Sequence, residues 1–297
     1  MATINAVTCG PMHKDRAMSE PRLTNRKLYL QRLGFEKPPE PTLATLRLLQ
    51  LRHTGVFPFE NLATISGAPV LIDLPSIEEK VLLGGRGGYC YELNNLFFAL
   101  LLELGFEARA ISGRVVMNQP EGSWTARTHR LSLVTIDDVR YITDVGFGGM
   151  VPTAPLLLDT ETEQATPHEP YRIEKQADGY MLRAKVAGEW RSMYLFDLQR
   201  QEDIDYTIGN WYVSTHPESP FSQRLMVART GDGWRKTLNN GSFAIHRMGA
   251  ESERREVADV EDLLDLIEVE FGIRVASPQL LKPVLGRLIQ PGQGSSA

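Results

Sequence analysis

The chain has 297 residues, 42% hydrophobic and 23% charged, an ordinary soluble globular composition with room for a large core and two or three domains. Its formal charge of −5 and lack of a basic run leave no footprint for nucleic acid or an anionic membrane. No apolar stretch approaches the roughly 20 residues of a transmembrane helix.

Residues 1–22 read as a polar, flexible arm with no apolar core like that of a signal peptide. It carries Cys9, and the other cysteine is Cys90. A structural disulfide between them is not expected, which points to a reducing cytoplasm. Two distant cysteines without an HExxH or paired-histidine spacing give a zinc site no support.

From Leu23 the pattern turns helical. Leu28, Leu30, Leu33 and Phe35 precede a KPPEP break, and Leu43, Leu46, Leu48, Leu49 and Leu51 mark a second helix. His53 to Leu62 reads as a loop, and Leu71 to Leu83 holds another short helix. Four glycines broken by Arg86 then lead into Leu93, Leu96, Phe97, Leu100, Leu101 and Leu104, a spacing that lays one broad apolar face along a helix. Cys90 falls on the buried side of its first turn, where free N–H groups and the helix dipole favour a thiolate. A buried, inert cysteine is the plain alternative.

After Gly105 the periodicity changes to short β-branched and aromatic segments separated by turn residues, which predicts an antiparallel sheet or small barrel over 107–208. Residues 209–297 mix strand-like pieces with a helix over Val260–Phe271, a short helix near Leu280–Ile289 and a loose tail. The expectation is an α+β protein: an arm (1–22), a helical domain carrying Cys90 (23–106), a β-barrel (107–208) and an α/β lid (209–297).

A nucleophilic cysteine needs a base and an orienting group. Of six histidines, only His129 lies in a strand that forms a hairpin with one bearing an unexplained acid, Asp144. Parity decides whether they meet. A four-residue loop over 135–138 sets them directly opposite, and a two-residue loop at 137–138 makes them diagonal neighbours on one face. A three-residue loop separates them. A backbone-satisfied strand histidine and a turn-capping carboxylate are the plain alternatives. Cysteine, histidine and aspartate in that order favour a catalytic triad.

RGGYCYELN around Cys90, PFENL at 58–62, THRL around His129 and DVGFG around Asp144 together resemble the arylamine N-acetyltransferases, with echoes at SMYLFDL and STHPESPF. The resemblance runs from about Leu28 to about Ile273. It implies a helical domain, a β-barrel and an α/β lid around a Cys90–His129–Asp144 triad, in a cytosolic enzyme. The implied activity carries acetyl from acetyl-CoA, as co-substrate, to aromatic amines, hydrazines or N-hydroxyarylamines. It further implies that Phe59 and Phe221 face the acceptor, and that Glu60 and Arg86 form a partly buried ion pair bracing the glycine turn. Gly146, Gly148 and Thr215 are expected at CoA.

The expected chemistry is attack of the Cys90 thiolate on the thioester carbonyl, loss of CoA, then attack of the amine on acetyl-Cys90. The Cys90 N–H is the expected oxyanion donor. GGRGG is not a P-loop, because no GK[ST] follows and Lys80 lies on the wrong side. The rivals are a polyketide amide synthase using the same triad, a papain-like cysteine hydrolase, and a binding module with an inert cysteine.

Overall fold

The computed structural model describes residues 22–289; the arm at 1–21, with Cys9, lies outside them. Five helices come first: α1 (Arg26–Arg32), α2 (Leu43–Val56), α3 (Leu62–Ile65), α4 (Leu74–Ile77) and α5 (Cys90–Glu103). A two-residue strand, β1 (Phe59–Glu60), falls between α2 and α3. Thr42 caps α2 by accepting from Thr45 N. The segment expected as a loop from His53 is helical as far as Val56, and His53 is buried in its last turn. Pro58, two residues beyond, cannot supply the N–H that another turn requires.

Leu93, Leu96, Phe97, Leu100 and Leu101 of α5 are all buried, as their spacing predicts. They sit at the centre of a core shared with Tyr29, Leu46, Leu49, Phe57 and Val81. Each such side chain contributes roughly 1.5–3 kcal/mol on burial.

Seven strands follow: β2 (Glu107–Val115), β3 (Arg127–Ile136), β4 (Val139–Thr143), β5 (Leu156–Leu157), β6 (Tyr171–Gln176), β7 (Gly179–Val186) and β8 (Glu189–Phe196). They form one antiparallel sheet in the order β5-β4-β3-β2-β8-β7-β6. The sheet curls until its end strands β5 and β6 meet. Its inward face buries Ile111, Leu131, Ile142, Leu182 and Tyr194. The β3–β4 turn is the two-residue one, with Asp137 and Asp138 at φ 50° and 63°. Both are left-handed, as a tight hairpin turn that matches strand twist requires.

Beyond β8 come α6 (Asp203–Thr215) and α7 (Pro220–Gln223). The four strands β9 (Met226–Gly231), β10 (Trp234–Asn239), β11 (Ser242–Arg247) and β12 (Glu253–Glu256) then precede α8 (Val260–Phe271) and α9 (Pro278–Leu288). β1 pairs with β9, so the helical region supplies the first strand of the second sheet, β1-β9-β10-β11-β12. The helix α6 has no counterpart in the sequence reading and crosses the expected junction at 208/209. Its large apolar residues Ile204, Ile208 and Trp211 are exposed, while Tyr206, Gly209, Asn210 and Val213 are buried. Its inward face therefore reads as unremarkable in sequence. No helix among the described residues is long and apolar enough to cross a membrane.

Because Leu96 is fully enclosed, Leu96→Ala is expected to destabilise the protein by about 2–5 kcal/mol, read as a lowered midpoint in chemical denaturation.

Candidate active site

The glycine turn is wedged against the chain at Pro58–Glu60. Glu60 N donates to Gly88 O at 2.9 Å and Gly88 N to Pro58 O at 3.3 Å. A Cβ on Gly87 would lie 2.0 Å from the Pro58 carbonyl oxygen, so no larger residue fits this approach. The expected ion pair is present: Arg86 reaches Glu60 Oε1 through Nε at 3.0 Å and Nη2 at 2.8 Å. Glu60 is fully buried, and its carboxyl is held below its ordinary value: burial works against ionisation, and Lys80, Arg86 and the Leu62 N–H outweigh it. This braced turn delivers Cys90 as the first residue of α5, buried, with its thiol 3.6 Å from Thr128 O on β3.

The register of β3 and β4 pairs Ser132 with Thr143. Continued by one residue, it sets Asp144 opposite Leu131 and diagonal to His129 on the same face. His129 Nε2 and Asp144 Oδ2 are 2.7 Å apart, with both side chains shut off from solvent. The Cys90 thiol lies close enough for its charge to act on the same imidazole. Burial alone would lower the imidazole pKa, but the Asp144 charge and hydrogen bond, reinforced by Cys90, push it up to about 10. Burial likewise favours a neutral Asp144, yet the His129 charge and the surrounding hydrogen bonds hold it below its ordinary value. The pair is ionic at neutral pH.

Three supports of Asp144 were not identified from the sequence. Asn94 Nδ2 donates to Asp144 Oδ1 at 2.9 Å and to Arg130 O at 2.6 Å, while its Oδ1 accepts from Val145 N at 2.9 Å. Tyr194 OH donates to Oδ2 at 3.1 Å, and Gln50 Nε2 donates to the Asp144 carbonyl at 3.2 Å. For Asn94 a signal existed: it lies four residues after Cys90, so an amide occupies the face that α5 otherwise fills with leucine. Tyr194 and Gln50 sit in strand and helix patterns that carry no such mark.

Phe59 and Phe221 come together, ring centroids 6.0 Å apart, and Tyr89 lies 5.6 Å from Phe221. Gly148 lies against the Phe59 ring. Gly146 has a packing role: a Cβ there would stand 2.8 Å from Cys90 Cα and 2.9 Å from Asn94 Nδ2. Thr215 is exposed at the end of α6 and donates its hydroxyl to Trp211 O. A cavity of about 650 Å³ opens beside Met150, where β7 and β8 face the second sheet. Arg183, Arg191, Arg235, Arg254 and His246 line it. Burial, then the charges of Arg235 and Arg254, push His246 down to about 4. A second cavity of about 530 Å³ lies under the 119–124 loop, and Cys90 and His129 line neither. Among the described residues no cluster of three or more His, Cys, Asp or Glu side chains is placed to hold a metal ion.

Residues 42–280 match a protein-family model described as N-acetyltransferase. The chain is 40% identical over 248 residues to an arylamine N-acetyltransferase / N-hydroxyarylamine O-acetyltransferase of Salmonella typhimurium, covering 83% of this chain and 88% of that one. It is 41% identical over 249 residues to an arylamine N-acetyltransferase of Mycolicibacterium smegmatis, covering 82% and 90%. Among solved structures, Mycobacterium marinum arylamine N-acetyltransferase in complex with CoA aligns with a TM-score of 0.86 at 38% identity, over 90% of this chain and all of that one.

The buried pair sets two pH effects of opposite sign. His129 is raised, so its contribution to stability is complete below about pH 6.5 and is lost as the pH climbs through about 10. Asp144 is lowered, so its contribution is present above the ordinary carboxylate range and lost on acidification through its depressed value. Replacing Asp144 by Asn removes the charge that raises His129. Its ring resonances, followed by NMR across pH 5–10, are expected to titrate at markedly lower pH than in the wild type. An unmoved titration would show that Asp144 does not control the imidazole.

Proposed function

The chain belongs to the arylamine N-acetyltransferase family, and from that premise we propose that it transfers acetyl from acetyl-CoA to the nitrogen of arylamines, arylhydrazines or N-hydroxyarylamines through an acetyl-Cys90 intermediate. The observation that carries this reading is a buried thiol at a helix start beside an imidazole that a buried carboxylate holds at 2.7 Å and raises in pKa. In the first half-reaction the Cys90 thiolate attacks the thioester carbonyl. The tetrahedral adduct collapses to acetyl-Cys90, and the departing CoA sulfur takes a proton from the His129 imidazolium. In the second, the amine nitrogen attacks acetyl-Cys90 while neutral His129 accepts its proton. Collapse returns the thiolate–imidazolium pair. Arylamines are weak bases and reach the site as the free nucleophile at neutral pH. The Cys90 N–H, free at the first helical position, is suited to donate to the developing oxyanion.

Phe59 and Phe221 would hold the flat acceptor, and Gly146, Gly148 and Thr215 remain the proposed donor contacts. The arginine-lined cavity beside Met150 suits the phosphates of CoA. None of the ion pairs among the described residues uses Arg191 or Arg254, so both are available to a polyanion. Arg254→Ala is expected to raise KM for acetyl-CoA about tenfold while leaving KM for the arylamine unchanged. Equal KM values for acetyl-CoA would remove the phosphates from this cavity.

The decisive experiment is intact-protein mass after brief exposure to acetyl-CoA alone, followed by addition of an arylamine. One acetyl increment on Cys90, discharged as N-acetyl product and absent in folded Cys90→Ala, is the expected result. Release of free CoA and acetate with no amide would favour a hydrolase. Reaction only with a carrier-bound polyketide thioester would favour an amide synthase.

A further inference from the structure

The segment leading into the glycine turn departs from regular helix. Residues Glu78–Leu83 wind as a π-helix, a conformation rare enough that its position calls for a reason. In this winding Lys80 lies beneath the turn. Its carbonyl accepts from Arg86 N at 3.2 Å. Its ammonium stands 2.6 Å from Glu92 Oε1 and 3.7 Å from Glu60 Oε1.

Glu92 occupies the third position of the helix that Cys90 begins. Its other carboxylate oxygen, Oε2, accepts from Tyr89 N at 3.1 Å and so holds the backbone immediately before the nucleophile. Glu60 and Glu92 are thus two buried carboxylates facing two cations. Arg86 is committed to Glu60, and Lys80 is the cation that reaches Glu92 among the described residues.

We propose that Lys80 is a positioning residue for the nucleophile: by neutralising Glu92, it lets a buried carboxylate cap Tyr89 without setting an uncompensated negative charge against the Cys90 thiolate. Without Lys80, Glu92 faces two outcomes. If it stays ionised, its charge opposes the thiolate two residues away across a medium with little water to screen it. If it takes a proton, the charge-assisted bond to Tyr89 N weakens and the start of α5 loosens. Burial already pushes Glu92 above its ordinary value, and the Lys80 charge is what works against that. Both outcomes slow thiolate attack. The inference rests on the reading of Cys90 as the nucleophile.

The test is single-turnover acetylation of Cys90 by acetyl-CoA, followed as CoA release and confirmed by protein mass, in the wild type, Lys80→Met, Glu92→Gln and the Lys80→Met/Glu92→Gln double variant. Glutamine keeps an oxygen for Tyr89 N but carries no charge to balance. Lys80→Met is expected to acetylate about tenfold more slowly than the wild type, and the double variant to match Glu92→Gln within about twofold. A wild-type rate in Lys80→Met, or a double variant slower than Glu92→Gln by the same factor as Lys80→Met is slower than the wild type, overturns the proposal. If Lys80→Met does not fold, the comparison of the double variant with Glu92→Gln decides alone. A wild type that forms no acetyl-Cys90 overturns the nucleophile reading and this one with it. A wild-type adduct with no suppression by Glu92→Gln overturns the role of Lys80 only.

Discussion

The structure depends on keeping an imidazolium and a carboxylate charged while no water reaches either. Moving an ion out of water costs several kcal/mol even after relaxation, and the attraction of its partner offsets this only when the remaining lone pairs are also satisfied. Asp144 meets that condition in full. His129 Nε2, Tyr194 OH, Asn94 Nδ2 and Gly146 N all lie within hydrogen-bond reach of its two oxygens. These partners come from β3, β8, α5 and the chain just past β4. The helical part and the barrel are joined at this carboxylate, and its ionisation depends on both.

The same demand shapes the surroundings of Cys90, the nucleophile of the proposed reaction. A thiol can be poised only where the backbone before it is held and its surroundings are dry. The GGRGG turn and the glycine after Asp144 supply the shape, since Gly87 passes against Pro58 and Gly146 against Cys90 closely enough to exclude any Cβ. Shape alone leaves buried polar groups behind, and the quartet of Glu60, Arg86, Lys80 and Glu92 neutralises them. Two charge clusters therefore frame the region of Cys90: one holds the His129 imidazole, the other holds the start of the helix.

The elements with strong, single-sided periodicity were legible. The α5 face, the strands β2 to β4 and β6 to β8, and the α8 stripe lie where hydrophobic spacing predicts, because each has one wet face and one dry one. α6 was not legible, because its large apolar residues point outward and its packed face is built from Tyr206, Gly209, Asn210 and Val213. His53 was read into a loop and is buried in the last turn of α2, in contact with Tyr29, Phe57 and Phe97. A histidine carries no sign of which side of a helix end it will occupy.

For Cys90, His129 and Asp144, local order was enough to set the cysteine at a helix start and the other two on one face. A cysteine at a helix start and a histidine and an aspartate of matching strand parity are properties of spacing, and spacing is written in the chain. Which loop closes the hairpin, and hence whether the two residues are opposite or diagonal, was decided by the left-handed pair Asp137–Asp138. The tertiary structure decided the rest: Tyr194 and Gln50 joining Asn94 on Asp144, Lys80 turned under the glycine run, and four arginines facing one cavity across two sheets. Most of those contacts join residues far apart in the chain, and a polar side chain has no periodicity that announces its partner. Burial creates the need for that partner, and burial exists only once the parts have packed.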